Sequence, residues 1–141
     1  MSDIYEADEL VSKRLNELLH NTITVDGLPI PYWVDGYSTA DYGIWMESYT
    51  GESDDSKHHF TEEARVNIEA FGRGTTSDFV SKIAQGVRRT LKASVNGKFT
   101  LNDLEVVITS TPSLMTATTI ENGETVHRAV IGLQLRITEK N

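Results

Sequence analysis

The sequence predicts an α+β fold, a single antiparallel or mixed β-sheet packed against two α-helices. Three observations predict it. Two segments, near residues 8–19 and 75–91, carry apolar residues at helical spacing. Two others, Glu63–Phe71 and Val126–Thr138, alternate apolar and polar residues with the period of a half-buried strand. No internal repeat, heptad or low-complexity linker divides the 141 residues, so residues 1–141 read as one domain.

In the first helix Leu10, Val11, Leu15, Leu18 and Leu19 form one stripe. Glu6, Asp8 and Glu9 place carboxylates in its first turns, where they suit the helix dipole, and His20-Asn21 closes it. Thr22–Val25 then reads as a strand running into the tight-turn pair Asp26-Gly27. Leu28–Val34 follows as an edge strand or extended arm, because Pro29 and Pro31 cannot donate ladder hydrogen bonds. Gly43–Tyr49 is a more regular strand. Thr50–His59 is polar and acidic, with little apolar surface to offset ordering, and is expected to be a mobile loop. In the strand Glu63–Phe71, Ala64, Val66, Ile68 and Ala70 share one face.

Gly72-Arg73-Gly74 breaks that strand, and Thr75, Thr76, Ser77 and Asp78 offer caps for the second helix. Its stripe is Phe79, Val80, Ile83, Ala84, Val87 and Leu91. Gly86 lies within the stripe at a cost of about 1 kcal/mol in helix propensity. Close packing against another backbone is the expected compensation. Asn96-Gly97 marks a turn, Leu104–Thr109 and Val126–Thr138 are the last strands, Pro112 interrupts the earlier one, and Glu121–Glu124 turns between them.

Charge and composition narrow the function. A formal net charge of −8, with 13 scattered basic residues, argues against nucleic acid as the main ligand, since phosphate binding needs clustered Lys and Arg. The absence of cysteine removes thiol nucleophiles, disulfides and Cys-based zinc sites. The opening Met1–Glu6 lacks the order of a signal peptide, and no apolar run suits a membrane span, so synthesis in the cytoplasm is expected.

The residues that could carry chemistry have simpler readings. His58-His59 point to opposite sides of an extended segment, which ill suits one metal ion even with Asp54, Asp55 and Glu62 nearby. Gly72-Arg73-Gly74 could hold an anion at a helix N-terminus but lacks the third glycine of a dinucleotide site. Asp54-Asp55 and Glu62-Glu63 lie in the most polar stretch, so solvated charge accounts for them better than an acid/base pair. No nucleophile elbow, Walker loop or zincin helix is present. The expectation is therefore a non-enzyme without metal or cofactor.

The aromatic residues read first as core filling and second as an interface. Tyr32, Trp33, Tyr37, Tyr42, Trp45 and Tyr49 crowd into one stretch, partly to fill the core, and the Pro29–Trp33 arm is the best interface candidate. Arg88-Arg89, opposite the apolar stripe of the second helix, suits the acidic surface of a partner.

The stretch from Trp45 to Leu91 resembles the tail terminator proteins of long-tailed bacteriophages, in particular the minor tail protein U family. Tyr49-Thr50-Gly51-Glu52 opens an acidic loop, Val66–Phe71 follows as a strand, and a Gly-containing turn leads into an amphipathic helix. The first helix, the Asp26-Gly27 turn and the closing strand Val130–Ile137 fall in the same order as in that family, whereas the Lys92–Ile120 segment is longer.

The resemblance implies a structural virion protein at the head–tail junction. It would form a hexameric ring that caps the tail tube, stops tube polymerisation and offers a surface to head-completion or connector proteins. DNA would pass through the lumen without specific binding, in keeping with the negative net charge. The candidate subunit or tube contacts are Pro31, Tyr32, Trp33, Glu52, Asp54, Asp55, His58, His59, Arg73, Arg88 and Arg89. Other readings are a neck or connector protein, a monomeric binding or adaptor domain, and a metal-assisted enzyme using His58 and His59.

Overall fold

The computed structural model describes residues 7–36, 40–56, 59–92, 98–101, 104–109 and 113–139. Their chain order is α1 (Ala7–Leu19), β1 (Thr24–Val25), β2 (Leu28–Pro29), β3 (Tyr42–Ser56), β4 (His59–Arg73), α2 (Ser77–Lys92), β5 (Lys98–Leu101), β6 (Leu104–Ile108), β7 (Ser113–Glu121) and β8 (Glu124–Glu139). β1 and β2 form a small hairpin. The other six strands form one antiparallel sheet in the order β3-β4-β8-β6-β5, with β7 also paired to β8. This is the α+β arrangement expected from the two periodicities.

The sheet is built on β4 and β8. Ala64, Val66, Ile68 and Ala70 lie opposite Leu135, Leu133, Ile131 and Ala129, so the apolar phases of both strands share a face. All eight side chains are buried there. Removing that much apolar surface from water is the main force holding the layers together. The helices cover the same face. α1 contributes Val11, Leu15 and Leu19, and α2 contributes Phe79, Val80, Ile83, Ala84, Val87 and Leu91. Thr76 caps α2, its Oγ1 accepting the Phe79 N–H at 3.1 Å. Gly86 is buried, and a Cβ placed there would meet Ile23 Cγ2 at 2.7 Å. The close neighbour at this glycine is thus a side chain, Ile23 just before β1, rather than the backbone expected.

Both expected tight turns have left-handed central residues, Asp26 (φ 52°) with Gly27 (φ 80°), and Asn122 (φ 51°) with Gly123 (φ 80°). Such values match the twist of a two-residue hairpin.

Three expectations are corrected. Thr50–His59 is not a loop in its described part, because β3 runs to Ser56 and β4 starts at His59, in register from Thr50↔Arg65 to Ser56↔His59. The β4 side of this extension is also paired to β8, from Thr61↔Thr138 to Ala64↔Leu135. Ladder hydrogen bonds to an already supported strand outweigh the weak strand preference of acidic residues, which context overrides readily. A bulge between Met46 and Ser48 shifts the phase, so that Tyr49 rather than Ser48 packs against the core with Met46.

The second correction concerns the Leu28–Val34 arm. Only Leu28 and Pro29 form a strand, paired to β1, and the arm then meets β3 through a single parallel bridge, Tyr32↔Ile44. The prolines limit what it can pair, as their missing donors require. The third concerns the closing hairpin. The Glu121–Glu124 turn joins β8 to β7, a strand without an apolar face to announce it, rather than to Leu104–Ile108. β6 and β7 lie in succession along the same edge of β8, at Leu135–Glu139 and at Glu124–Gly132. Asn96-Gly97 and Pro112 lie outside the described residues.

Candidate assembly surfaces

The arm from residue 30 to residue 33 is sewn into the domain. The Pro31 carbonyl accepts the Ile44 N–H at 2.9 Å, and the Trp33 N–H donates to the Ile44 carbonyl at 2.7 Å. The Tyr32 N–H donates to His20 Nδ1 at 2.9 Å, and its hydroxyl shares a buried 2.9 Å hydrogen bond with Ser12 on α1. Tyr32 is 3% exposed, which makes it a core residue of the single chain. Burial raises its pKa, partly offset by the Ser12 hydrogen bond. Trp33 is half-exposed, its Nε1 donating to the Tyr42 carbonyl at 3.0 Å, and Val34 beside it is exposed. Of the arm's candidates, Trp33 thus offers an open apolar surface and Tyr32 does not.

The sheet face away from the helices holds a buried ionic network that sequence reasoning missed. Glu69 on β4 is 3% exposed and pairs with Arg128 on β8. Trp45 on β3 donates its Nε1 to Glu69 Oε2 at 3.2 Å. Arg128 also pairs with Glu121 at the end of β7 and donates through Nε to Thr119 Oγ1 at 3.2 Å. Arg73 joins the network, Nη1 lying 3.2 Å from Glu121 Oε1 and Nε donating to the Ala40 carbonyl at 3.1 Å. A charge this buried needs partners for each of its hydrogen-bonding positions.

The network assigns Arg73 a structural task. Its side chain is only 14% exposed, so it presents no open cation at the Gly72–Gly74 turn. The available signal was faint: Glu69 and Arg128 sit on the polar phases of their strands, but only the register brings them together. Arg128 faces Phe71 directly, two places along β4 from Glu69.

The Glu62-Glu63 pair is divided between the two faces of β4. Glu63 is exposed and accepts from Arg136 Nε at 2.8 Å. Glu62 is buried on the helix side, where the Tyr49 hydroxyl donates to it, so the solvated reading fails for Glu62. A side chain at Gly51 would collide with this carboxylate, and its absence leaves the necessary space. Tyr49 is held far above its ordinary pKa by burial first, then by its hydrogen bond to Glu62 and the charge of that carboxylate.

Basic residues gather on the exposed side of α2. The exposed residues of α2 include Lys82, Arg88, Arg89 and Lys92 against one carboxylate, Asp78. Lys82 bridges to Asp78 at 3.2 Å and to Asp26 at 3.5 Å. At the far end of the sheet, Glu52, Asp54 and Asp55 occupy β3 positions opposite Glu63, Thr61 and Phe60. Their side chains lie outside the described residues, as does that of His59, whose backbone pairs with Ser56; His58 lies outside altogether.

Two shallow grooves flank these features. One of ≈ 380 Å³ runs between the first turn of α2 and β7, lined by Ser77, Asp78, Thr116, Thr118 and His127. The other, ≈ 570 Å³, lies between α1 and the arm and includes Asp8, Glu9, Ser12, Asp35 and Met46. Among the described residues no group of three His, Cys, Asp or Glu side chains could hold a metal ion. No helix of the described residues is long and apolar enough to cross a membrane. Comparison with protein-family models finds no match, and comparison with curated protein sequences finds none.

Proposed function

We propose that this chain is a structural subunit of a phage tail, forming a hexameric ring that caps the tail tube, ends its polymerisation and receives the head-completion proteins. The observation that carries this reading is the gathering of cations on the exposed side of α2. A closed ring needs a head-to-tail contact between two different surfaces of the same molecule. The cationic side of α2, with Arg88 and Arg89, is one such surface, and the acidic residues that the sequence places along β3, Glu52, Asp54 and Asp55, are the other that this reading assigns, on a chain of net charge −8. The resemblance of Trp45–Leu91 to tail terminators supports the same conclusion. The excess of carboxylates suits a lumen through which DNA slides without adhering.

The test is solution mass by light scattering after size exclusion, with and without the cognate tube protein. A six-chain species in the presence of tube is expected. It should weaken about tenfold or more in Arg88→Glu/Arg89→Glu, and also on raising salt well above physiological strength, because exposed charges are screened within about 8 Å at 0.15 M. A chain that neither forms rings nor shortens tubes with tube protein present overturns the proposal and favours the adaptor reading.

A further inference from the structure

Edge strands offer unpaired backbone groups to any strand that comes near, and folded proteins guard them with charge, short length or a covering segment. Two edges of this sheet are guarded. β3 is bridged at Ile44 by the 31–33 arm and carries Glu47, Glu52, Asp54 and Asp55 further along. β5 has four residues, beginning with Lys98.

β7 has none of these protections. It spans nine residues, has no charged side chain from Ser113 to Ile120, and pairs on one side only, with β8, among the described residues. Thr116, Thr118, Thr119 and Ile120 are β-branched, which favours extended backbone. Every position from Thr116 to Ile120 is exposed. Met115 at 73% and Ile120 at 76% are the most exposed large hydrophobic side chains described.

We propose that β7 is a self-pairing edge, and that in the free protein a second copy of this chain adds its own β7 antiparallel across a two-fold axis at Ala117. In that register Leu114 faces Ile120, Met115 faces Thr119 and Thr116 faces Thr118. Cross-strand pairs of apolar and β-branched residues are the unit of sheet stabilisation, and no like charges meet. The faces also agree. Leu114 packs on the helix-side core, opposite Ile131, so the copy's Ile120 arrives on the side where it extends that core. β3, in contrast, carries four carboxylates along its length, Glu47, Glu52, Asp54 and Asp55. An uncharged edge therefore selects its own copy.

This two-fold contact is independent of the ring. The six-fold contact proposed above uses α2 and the β3–β4 hairpin, and it is read with tube protein present. The two-fold contact is read without it, so either can fail alone.

The native sequence has no cysteine, so Ala117→Cys supplies a single thiol. Without tube protein, the mass of the natural chain should rise from one chain to two across a concentration series. Met115→Lys/Ile120→Lys should shift that midpoint at least tenfold upward, with circular dichroism and melting temperature unchanged. Thr118→Lys serves as the second variant if the first fails to fold. The Ala117→Cys chain should join to itself through a short bismaleimide to give a covalent dimer, whereas Gln85→Cys on α2 should not. A one-chain mass at every concentration overturns the proposal, as does a dimer insensitive to the lysine variants. Cross-linking of the Ala117→Cys chain only to a Thr50→Cys copy overturns it too, because β7 would then pair with the next copy's β3.

Discussion

Arg128→Leu is expected to be strongly destabilising, although it lies on the sheet face away from the helices. It deletes the guanidinium that pairs with Glu69 and leaves that carboxylate, whose side chain is 4% exposed, with its Trp45 hydrogen bond but without this cation. Removing one partner of a buried pair costs about 3–5 kcal/mol, since the remaining charge keeps its desolvation penalty without compensation. Glu121 contributes less to the loss, being about one-third exposed and still paired with Arg73. The total stability of such a domain is roughly 5–15 kcal/mol, so the variant should lose a large share of it.

The double variant Glu69→Leu/Arg128→Leu removes both charges and should be more stable than Arg128→Leu, despite the Trp45 N–H losing an acceptor at about 1–3 kcal/mol. Urea unfolding followed by tryptophan fluorescence measures all three chains, with Trp45 beside the altered site. If Arg128→Leu costs less than about 1 kcal/mol, the pair behaves as a screened surface bridge and the reasoning is refuted. A double variant less stable than the single one would refute it as well.

Two further outcomes follow from the core. Gly86→Ala gains about 1 kcal/mol of helix propensity but drives a methyl against the stiff, branched Ile23, where overpacking costs about 1–3 kcal/mol. A net loss of up to about 2 kcal/mol is expected, smaller in an Ile23→Ala background; thermal melts of the four chains measure it, and equal loss in both backgrounds would exclude the contact as the cause. Stability should also fall in alkali. Tyr32 and Tyr49 have folded pKa values above their ordinary 10.0, so their contribution is complete below pH 10 and is lost as the pH rises through the folded values. Absorbance at 295 nm should show a tyrosine phase above pH 10.0 that disappears in Tyr32→Phe/Tyr49→Phe, and Tyr49→Phe should flatten the alkaline loss; a titration unchanged by both substitutions would contradict this.

The sequence by itself determined the elements whose information is local and periodic. The stripes of α1 and α2, the alternation of β4 and β8, and the Asp26-Gly27 and Asn122-Gly123 turns were legible because spacing and turn chemistry act within a few residues. It also indicated that Gly86 needed a close neighbour. Tertiary structure alone decided the rest. The acidic run Thr50–Ser56 is a strand because β4 and β8 hold it in a ladder, and β7 is a strand because β8 offers an edge. Arg73 and Tyr32, readable as surface contacts, are drawn inside by Glu121 and Ser12, partners 48 and 20 residues away. The Glu69–Arg128 pair is separated by 59 residues, and nothing local marks either member. Such long-range pairing depends on which strands become neighbours and in which register, and that is settled by burying the common apolar face as a whole.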